Sequence, residues 1–399
     1  MLAPTSPPAE VAPPLRLSGS RPRRSGPSRA HRVRRVALGA AAVCLIPAIV
    51  SYIQALAARS NSSVGIRTVE WLRDNGARGL VNDVENFYYT LTAPTKGGPG
   101  LHALPAQAGM ALAPPSLRVH KRVHVYRPKS IKPILHPALP GEGVWRATYA
   151  HGGSRPPVLV TSFRSDPSYP RTVAGVAWID HTRTSTWLYP GVSEPAVGLP
   201  SRGPEEVPLR LRAKLMATFN SGFKMKDEQG GVAVGSHTYK PLLTDFATFV
   251  RYRSGRVNVI SWHGGPTAGP DVVYARQNLP LIVNHGQPNP NLSDGQEWGF
   301  TLGNAVQVWR SAVGVDRRGN LLYAAAPDQT VRSLAAIMIH AGAVRAMELD
   351  INTYWTTFIS YRHPAPGDIG AANLLSTMDR PSSRYLTPDD RDFFAVYLK

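Results

Sequence analysis

The chain has 399 residues and is 43% hydrophobic, enough to bury a sizeable core in one large domain or two modest ones. Lys and Arg number 45 against 26 Asp and Glu, a formal charge of +19 that suits either nucleic acid or an anionic surface. The excess argues against nucleic acid by its placement: +7 in residues 1–35 (eight Arg, one Glu), +6 in 36–142 (11 against 5) and +6 in 143–399 (26 against 20). Most of it lies outside the stretch that reads as a folded domain. Cys44 is the only cysteine, so no disulfide holds the fold together.

Residues 1–35 are rich in Pro, Ser and Arg, lack periodic apolar positions and read as a disordered basic tail. Residues 36–58, VALGAAAVCLIPAIVSYIQALAA, carry no charged side chain. As a helix they reach the roughly 30 Å of a bilayer core, and Pro47 is tolerated there. The arginines before this run predict a signal anchor with the N-terminus cytoplasmic and all that follows Arg59 outside the membrane. A cleaved signal peptide is the alternative, on Ala55-Leu56-Ala57 and Arg34-Arg35. The long basic region and long apolar run favour the anchor.

Residues 64–91 have apolar spacing near 3.6, broken by Gly76 and Gly79, which predicts two short helices that either form a stalk or pack on the main domain. Residues 93–117 read as a Pro/Gly/Ala-rich linker. The basic run 118–136 reads as solvated linker, with an edge strand as the alternative. From about Gly141, short β-rich runs alternate with turn signals: 158–163, 173–179, 214–219, 246–252, 256–262, 305–309 and 320–325. One clear helix is expected at 330–341, closed by Gly342. The organisation that follows is a tail (1–35), a transmembrane anchor (36–58), a helical stalk with linker (59–140) and a domain (141–399). The fold class is α+β: a strand-rich mixed sheet domain with a few helices, preceded by one N-terminal transmembrane helix.

Within that domain, AMELDINTYW (346–355) places Glu348, Asp350 and Asn352 two apart, with Met347, Leu349 and Ile351 between them. A strand sends these to opposite faces, the apolar row going to a core beneath the preceding helix. The acidic row is then a pair of close carboxylates, an arrangement used for acid/base work. A solvated strand face is the plain alternative. Thr353, Tyr354 and Trp355 follow, and polar groups beside two aromatics suit a sugar-binding wall. In MATFNSGFKMKDEQGG an apolar strand ends in Asn220, Ser221 and Gly222, with Lys224 and Lys226 beyond. Asn220 can present its amide to a ligand or close a simple Asx turn. Arg310 interrupts an apolar run; facing inward it needs an anion, either Glu348, Asp350 or a substrate phosphate. His285, among loop-forming residues, is the best-placed histidine for a site. No zinc motif occurs. A carboxylate pair can also hold Ca²⁺, ranked below a site with no cofactor.

In order, LMATFNSGFKMKDEQGGVAVG, WRSAVGVDRRGNLLYAAAPD and SLAAIMIHAGAVRAMELDINTYW resemble the blocks of the phosphodiester glycosidase family, the domain of the uncovering enzyme and of bacterial relatives. The resemblance covers roughly residues 141–399. It implies that Asn220, Gly222, Arg310 and Asp350 stand at the family's site positions. Ser221 stands where the family usually has Gly, and Ile351-Asn352 where it has Gly-Gly. The function implied is a membrane-anchored, extracytoplasmic hydrolase of sugar-1-phosphodiesters in cell-envelope glycans. Asp350, Glu348, Arg310 and Asn220 would be its catalytic residues, and Ser221, Gly222, Lys224, His285, Asn352 and Trp355 would bind the glycan substrate. The alternative is a non-catalytic, membrane-tethered glycan-binding or surface-assembly protein.

Overall fold

The computed structural model describes residues 29–105, 126–148, 156–198, 203–235, 237–293, 296–299, 307–365 and 367–399. The chain forms two compact units, Met1–Gln54 and Ala55–Lys399. Helix α1 (Arg29–Ala57, with Pro47 inside) supplies what is described of the first. Its described part includes residues 29–35 of the basic region as well as the apolar run. Leu38, Leu45, Ile46, Ile49 and Ile53 along it are exposed. The core helix of a water-soluble domain would bury such residues. Helix α1 is therefore not of that kind, and it is long and apolar enough to cross a bilayer.

The second unit opens with a helical hairpin. Ser63 Oγ accepts a hydrogen bond from Ile66 N (3.4 Å) at the start of α2 (Val64–Asp74). Gly76, at φ +91°, turns the chain into α3 (Arg78–Leu91). Of the basic run at 118–136, residues 118–125 lie outside the described residues and 126–136 form no strand. Chain order then gives β1 (Arg146–Ala147), β2 (Val158–Arg164), β3 (Val173–Ile179), β4 (Thr184–Tyr189), β5 (Leu215–Asn220), α4 (Met225–Glu228), β6 (Val232–Val234) and β7 (His237–Lys240). It continues with β8 (Phe246–Tyr252), β9 (Val257–Ser261), β10 (Val272–Asn284), β11 (Gln287–Pro288), β12 (Val308–Val315), β13 (Leu321–Gln329) and α5 (Val331–His340). The last strands are β14 (Arg345–Ile351), β15 (Phe358–Arg362), β16 (Gly370–Asn373) and β17 (Phe393–Leu398).

Two sheets form a sandwich. The larger runs β1-β2-β3-β13-β12-β14-β10-β6-β7, with β8, β9 and β11 attached through β10, and the smaller runs β16-β15-β5-β17-β4. Every ladder among the described residues is antiparallel. Phe219, Phe358 and Phe394 of the small sheet meet Val160, Val313, Tyr323, Met347 and Leu349 of the large one in the main core. On the far face of the large sheet, Leu334, Ala335, Ile337 and Met338 of α5 cover Ala312, Leu322, Ala324 and Ala346. Central strands are thus buried on both faces, which is why β3 reads as an unbroken apolar run and why β2, β5 and β12 bury Thr161, Thr218 and Arg310 among apolar neighbours. Thr330 and Ser333 cap α5 reciprocally (3.0 and 3.1 Å), and Gly342 at φ +99° ends it.

Candidate active site

The acids of β14 are separated by a slip in pairing. Arg310 lies opposite Ile351, yet Ala312 lies opposite Glu348, so β14 spends three steps where β12 spends two. Such a bulge re-aims side chains. The apolar row is also placed differently from the sequence expectation. Met347 and Leu349 enter the core between the sheets, while α5 covers Ala346 on the other face. Ile351 joins Phe223 and Val308 in a small separate cluster. The cause is the two-sided burial of β14, which leaves no solvent face for polar residues.

Glu348, 1% exposed, accepts a 2.6 Å hydrogen bond from Arg310 Nη1. Arg310 also donates to the carbonyls of Gln329 (2.9 Å) and Trp298 (3.0 Å). Burial pushes the Glu348 carboxyl up to about 7, against the pull of Arg310. Neither Glu348 nor Arg310 lines the cavity described next.

Asp350 does line it. The cavity holds about 510 Å³. Asp350 Oδ2 lies 3.4 Å from Arg391 Nη1, and Oδ1 accepts from Ile351 N at 3.0 Å. Burial pushes this carboxyl up to about 6, with Arg391 and Arg384 opposing and Glu70 adding to the rise. At neutral pH Asp350 is a carboxylate in a cavity where cations outnumber acids, since Lys224, Lys226, Arg73, Arg78 and Arg391 line it together with Asp227 and Glu297. Trp355 lines it too, but the Arg391 guanidinium covers its ring at 4.6 Å. The expected open aromatic platform is instead a stack that braces Arg391.

Asn220 is wholly engaged by the protein. Its Oδ1 accepts from Tyr323 Oη (2.9 Å) and Thr357 N (3.0 Å), while Nδ2 donates to Ser311 Oγ (3.0 Å) and Ser221 O (3.1 Å). Ser311 Oγ in turn donates to Asp350 O (2.7 Å), and Asp350 N donates to Ser221 O (3.1 Å). Asn220 and Ser221 therefore fix the backbone that carries Asp350. Gly222 sits where a Cβ would come 3.2 Å from Asn278 Cγ. Asn352, at φ +101°, lines the cavity and accepts from Tyr354 N at 2.8 Å through Oδ1. That backbone region favours Gly, and Asn is among the residues that tolerate it. His285, expected at the site, is exposed at φ +52° in the β10–β11 turn and is not among the residues lining the cavity. Its Asn-His-Gly context reflects a hairpin turn.

Sequence reasoning missed Arg391 and the whole hairpin wall. Arg73, Arg78 and Asn82 line the cavity from α2 and α3. Glu70 forms an ion pair with Lys224, Asp74 with Lys226, and Arg78 with Asp227 at 3.0 Å. Burial raises the Glu70 pKa, but Lys224, then Arg391 and Arg73, outweigh that and hold it below the usual range. The hairpin is anchored ahead of α2: Asn61 Nδ2 donates to Arg384 O (2.6 Å), and Ser63 N donates to Tyr354 Oη (3.2 Å). The one available signal was the run of alternating charges at 70–74, which matches the lysines at 224 and 226. Among the described residues no group of three or more His, Cys, Asp or Glu could hold a metal.

No curated protein is significantly similar to the chain. Among solved structures, a hypothetical protein from Synechocystis aligns at 14% identity and TM-score 0.36, covering 61% of this chain and 62% of that one. The catalytic domain of zebrafish N-acetylglucosamine-1-phosphodiester alpha-N-acetylglucosaminidase, auto-inhibited by its pro-peptide, aligns at 16% and 0.38, covering 64% and 87%. A putative exported protein from Burkholderia pseudomallei aligns at 12% and 0.34, covering 59% and 75%. The chain thus spans under two thirds of the length of the first of these. Residues 213–350 match the sequence model of the phosphodiester glycosidase family, and so the segment from the approach to β5 through Asp350 carries that family's signature.

Proposed function

We propose that the chain is a membrane-anchored hydrolase of sugar-1-phosphodiesters whose substrates are cell-envelope glycans outside the membrane. The observation that carries this reading is Asp350: a buried carboxylate opening into a cavity otherwise rich in Lys and Arg. A phosphodiester brings one negative charge, and Lys224, Lys226 and Arg391, which line the cavity, would receive it. Cleavage breaks the bond between the anomeric carbon and the phosphate oxygen. Water supplies the new hydroxyl, and a phosphate monoester departs. Phosphate leaves readily, so one carboxylate suffices as base or nucleophile while cations stabilise the departing charge. Asp350 takes that role. Glu348 and Arg310 form the buried pair behind it, and Asn220 and Ser221 position its backbone. Asn352 and Trp355 shape the wall. The exposed apolar residues of α1 support the anchor, with the arginines that precede its apolar run on the cytoplasmic side.

One observation favours a second reading, a tethered glycan-binding protein without turnover: Lys224 and Lys226 are already paired with Glu70 and Asp74. The test is release of sugar from a sugar-1-phosphodiester by the full chain in detergent. Asp350→Asn is expected to lose turnover by at least about a hundredfold, with its circular dichroism spectrum unchanged. Turnover intact in that variant sinks the hydrolase mechanism; binding without turnover in the native chain establishes the second reading.

A further inference from the structure

Helix α3 has two contrasting sides. Arg78 and Asn82 line the cavity and Val81 is buried. Leu80, Val84, Phe87 and Leu91 recur at i, i+4, i+7 and i+11, which places them within about 60° of one another around the helix. They are 63%, 62%, 68% and 70% exposed. Scattered exposed apolar residues need no explanation, but four large ones in a single row on a 14-residue helix do.

Chain connectivity indicates what lies near that row. Helix α1 ends at Ala57 and α2 begins at Val64. The intervening residues reach at most about 20 Å when extended. A bilayer entered by α1 is therefore within reach of the hairpin. We propose that α3 lies on the surface of that bilayer, with Leu80, Val84, Phe87 and Leu91 inserted into the boundary between headgroups and acyl chains. This rests on the reading of α1 as a membrane anchor. Residues 59–91 hold four Arg and four acidic residues, so electrostatic attraction to anionic lipid contributes little. Apolar burial drives the docking, which needs no anionic lipid and survives high salt. Arg78 and Asn82 lie across the same helix, so docking brings one wall of the cavity within about 10 Å of lipid. Substrates held at the membrane surface are thereby within reach.

The test uses the full chain with Cys44→Ala, which removes the one native thiol. Val84→Cys or Leu80→Cys then carries a polarity-sensitive dye, and Ser254→Cys, on the exposed β8–β9 turn, carries the control. The protein is placed in phosphatidylcholine nanodiscs. At 84 and 80 the emission is expected to shift to the blue, to be quenched by nitroxide lipid and to resist aqueous iodide, equally at low and high salt. At 254 the reverse is expected. A chain that enters nanodiscs while the dye at 84 and 80 stays open to iodide overturns the docking and leaves the anchor standing. A chain that stays out of nanodiscs removes the anchor and the docking with it. Shielding that vanishes on dilution to one chain per disc identifies a second copy as the occupant and also overturns the proposal.

Discussion

Asp350 and Arg391 make the most direct statements about chemistry. The folded-state pKa of Asp350 is about 6, above the ordinary 3.8. A carboxyl raised in the folded state favours folding fully below its unfolded pKa, and that contribution is lost as pH rises through the folded one. Asn at 350 carries no such dependence. Relative to the native chain, Asp350→Asn is therefore expected to gain stability between pH 4 and pH 8, by about 2 kcal/mol for a shift near two units, since the unfolded carboxyl is already partly ionised at pH 4. Urea melts at the two pH values measure this, and a constant gap would refute the burial assigned to Asp350. Under the proposed hydrolysis the same group acts as a carboxylate, so turnover is expected to fall below about pH 6. Arg391→Met removes the cation that lowers this pKa, so the acid limb should move to higher pH; a stationary limb would separate Arg391 from Asp350. Neither the pairing nor Arg391 itself was legible in the sequence. Arg391 lies 41 positions beyond Asp350 and outside the matched segment 213–350. Asn220 stood out in the sequence at the end of a strand, but its partners did not, because an amide saturated by protein partners looks the same in sequence as one offered to a ligand.

Among the elements, β12 and β14 show what pattern reading can and cannot reach. The run around Arg310 required a buried anion, and Glu348 supplies it at 2.6 Å. Arg310→Ala leaves that carboxylate buried and unpaired, and should destabilise the fold by roughly 3–5 kcal/mol in a urea melt. The double change Arg310→Met with Glu348→Leu should cost clearly less than the sum of the single changes. An additive result would mean the pair is not coupled. The bulge in β14 had no sequence signature, since alternation of apolar and polar residues runs through it unbroken. Strand β10 was missed for the opposite reason. Arg276, Gln277, Asn278 and Pro280 lie inside it, yet Arg276 is neutralised there by Glu228 (2.8 Å) and Asp392 (2.9 Å). The hairpin was visible as two helices. Its attachment to the site was not, because ion pairs between residues 70–78 and 224–227 span about 150 positions. Glu70→Gln removes the nearer of the two carboxylates at Lys224, leaving Asp74 at 3.9 Å, and should lower KM several-fold for a phosphodiester; an unchanged KM would place Lys224 outside the substrate's reach.

On the scale of the whole molecule, the strand-rich α+β class and the apolar first helix were readable from texture alone, whereas the division into two facing sheets was not. Near-continuous apolar runs bounded by turn residues, and the long uncharged apolar stretch at 36–58, leave strong compositional marks. How a wall built from residues 73–82 closes a cavity floored by 350 and 391 leaves no such mark. A chain beginning at residue 93 should accordingly lose turnover even if it folds, which an activity assay on that truncation checks. The pairs Arg164–Glu142, Arg276–Asp392, Arg310–Glu348 and Arg384–Asp389 all lie beneath the surface. Each removes a guanidinium from what a passing polyanion can feel, since field lines that end on an internal carboxylate do not emerge into solvent. Each pair also withdraws a carboxylate, so the formal excess of +19 is left on the remaining lysines and arginines, and those are the charges an approaching anion meets.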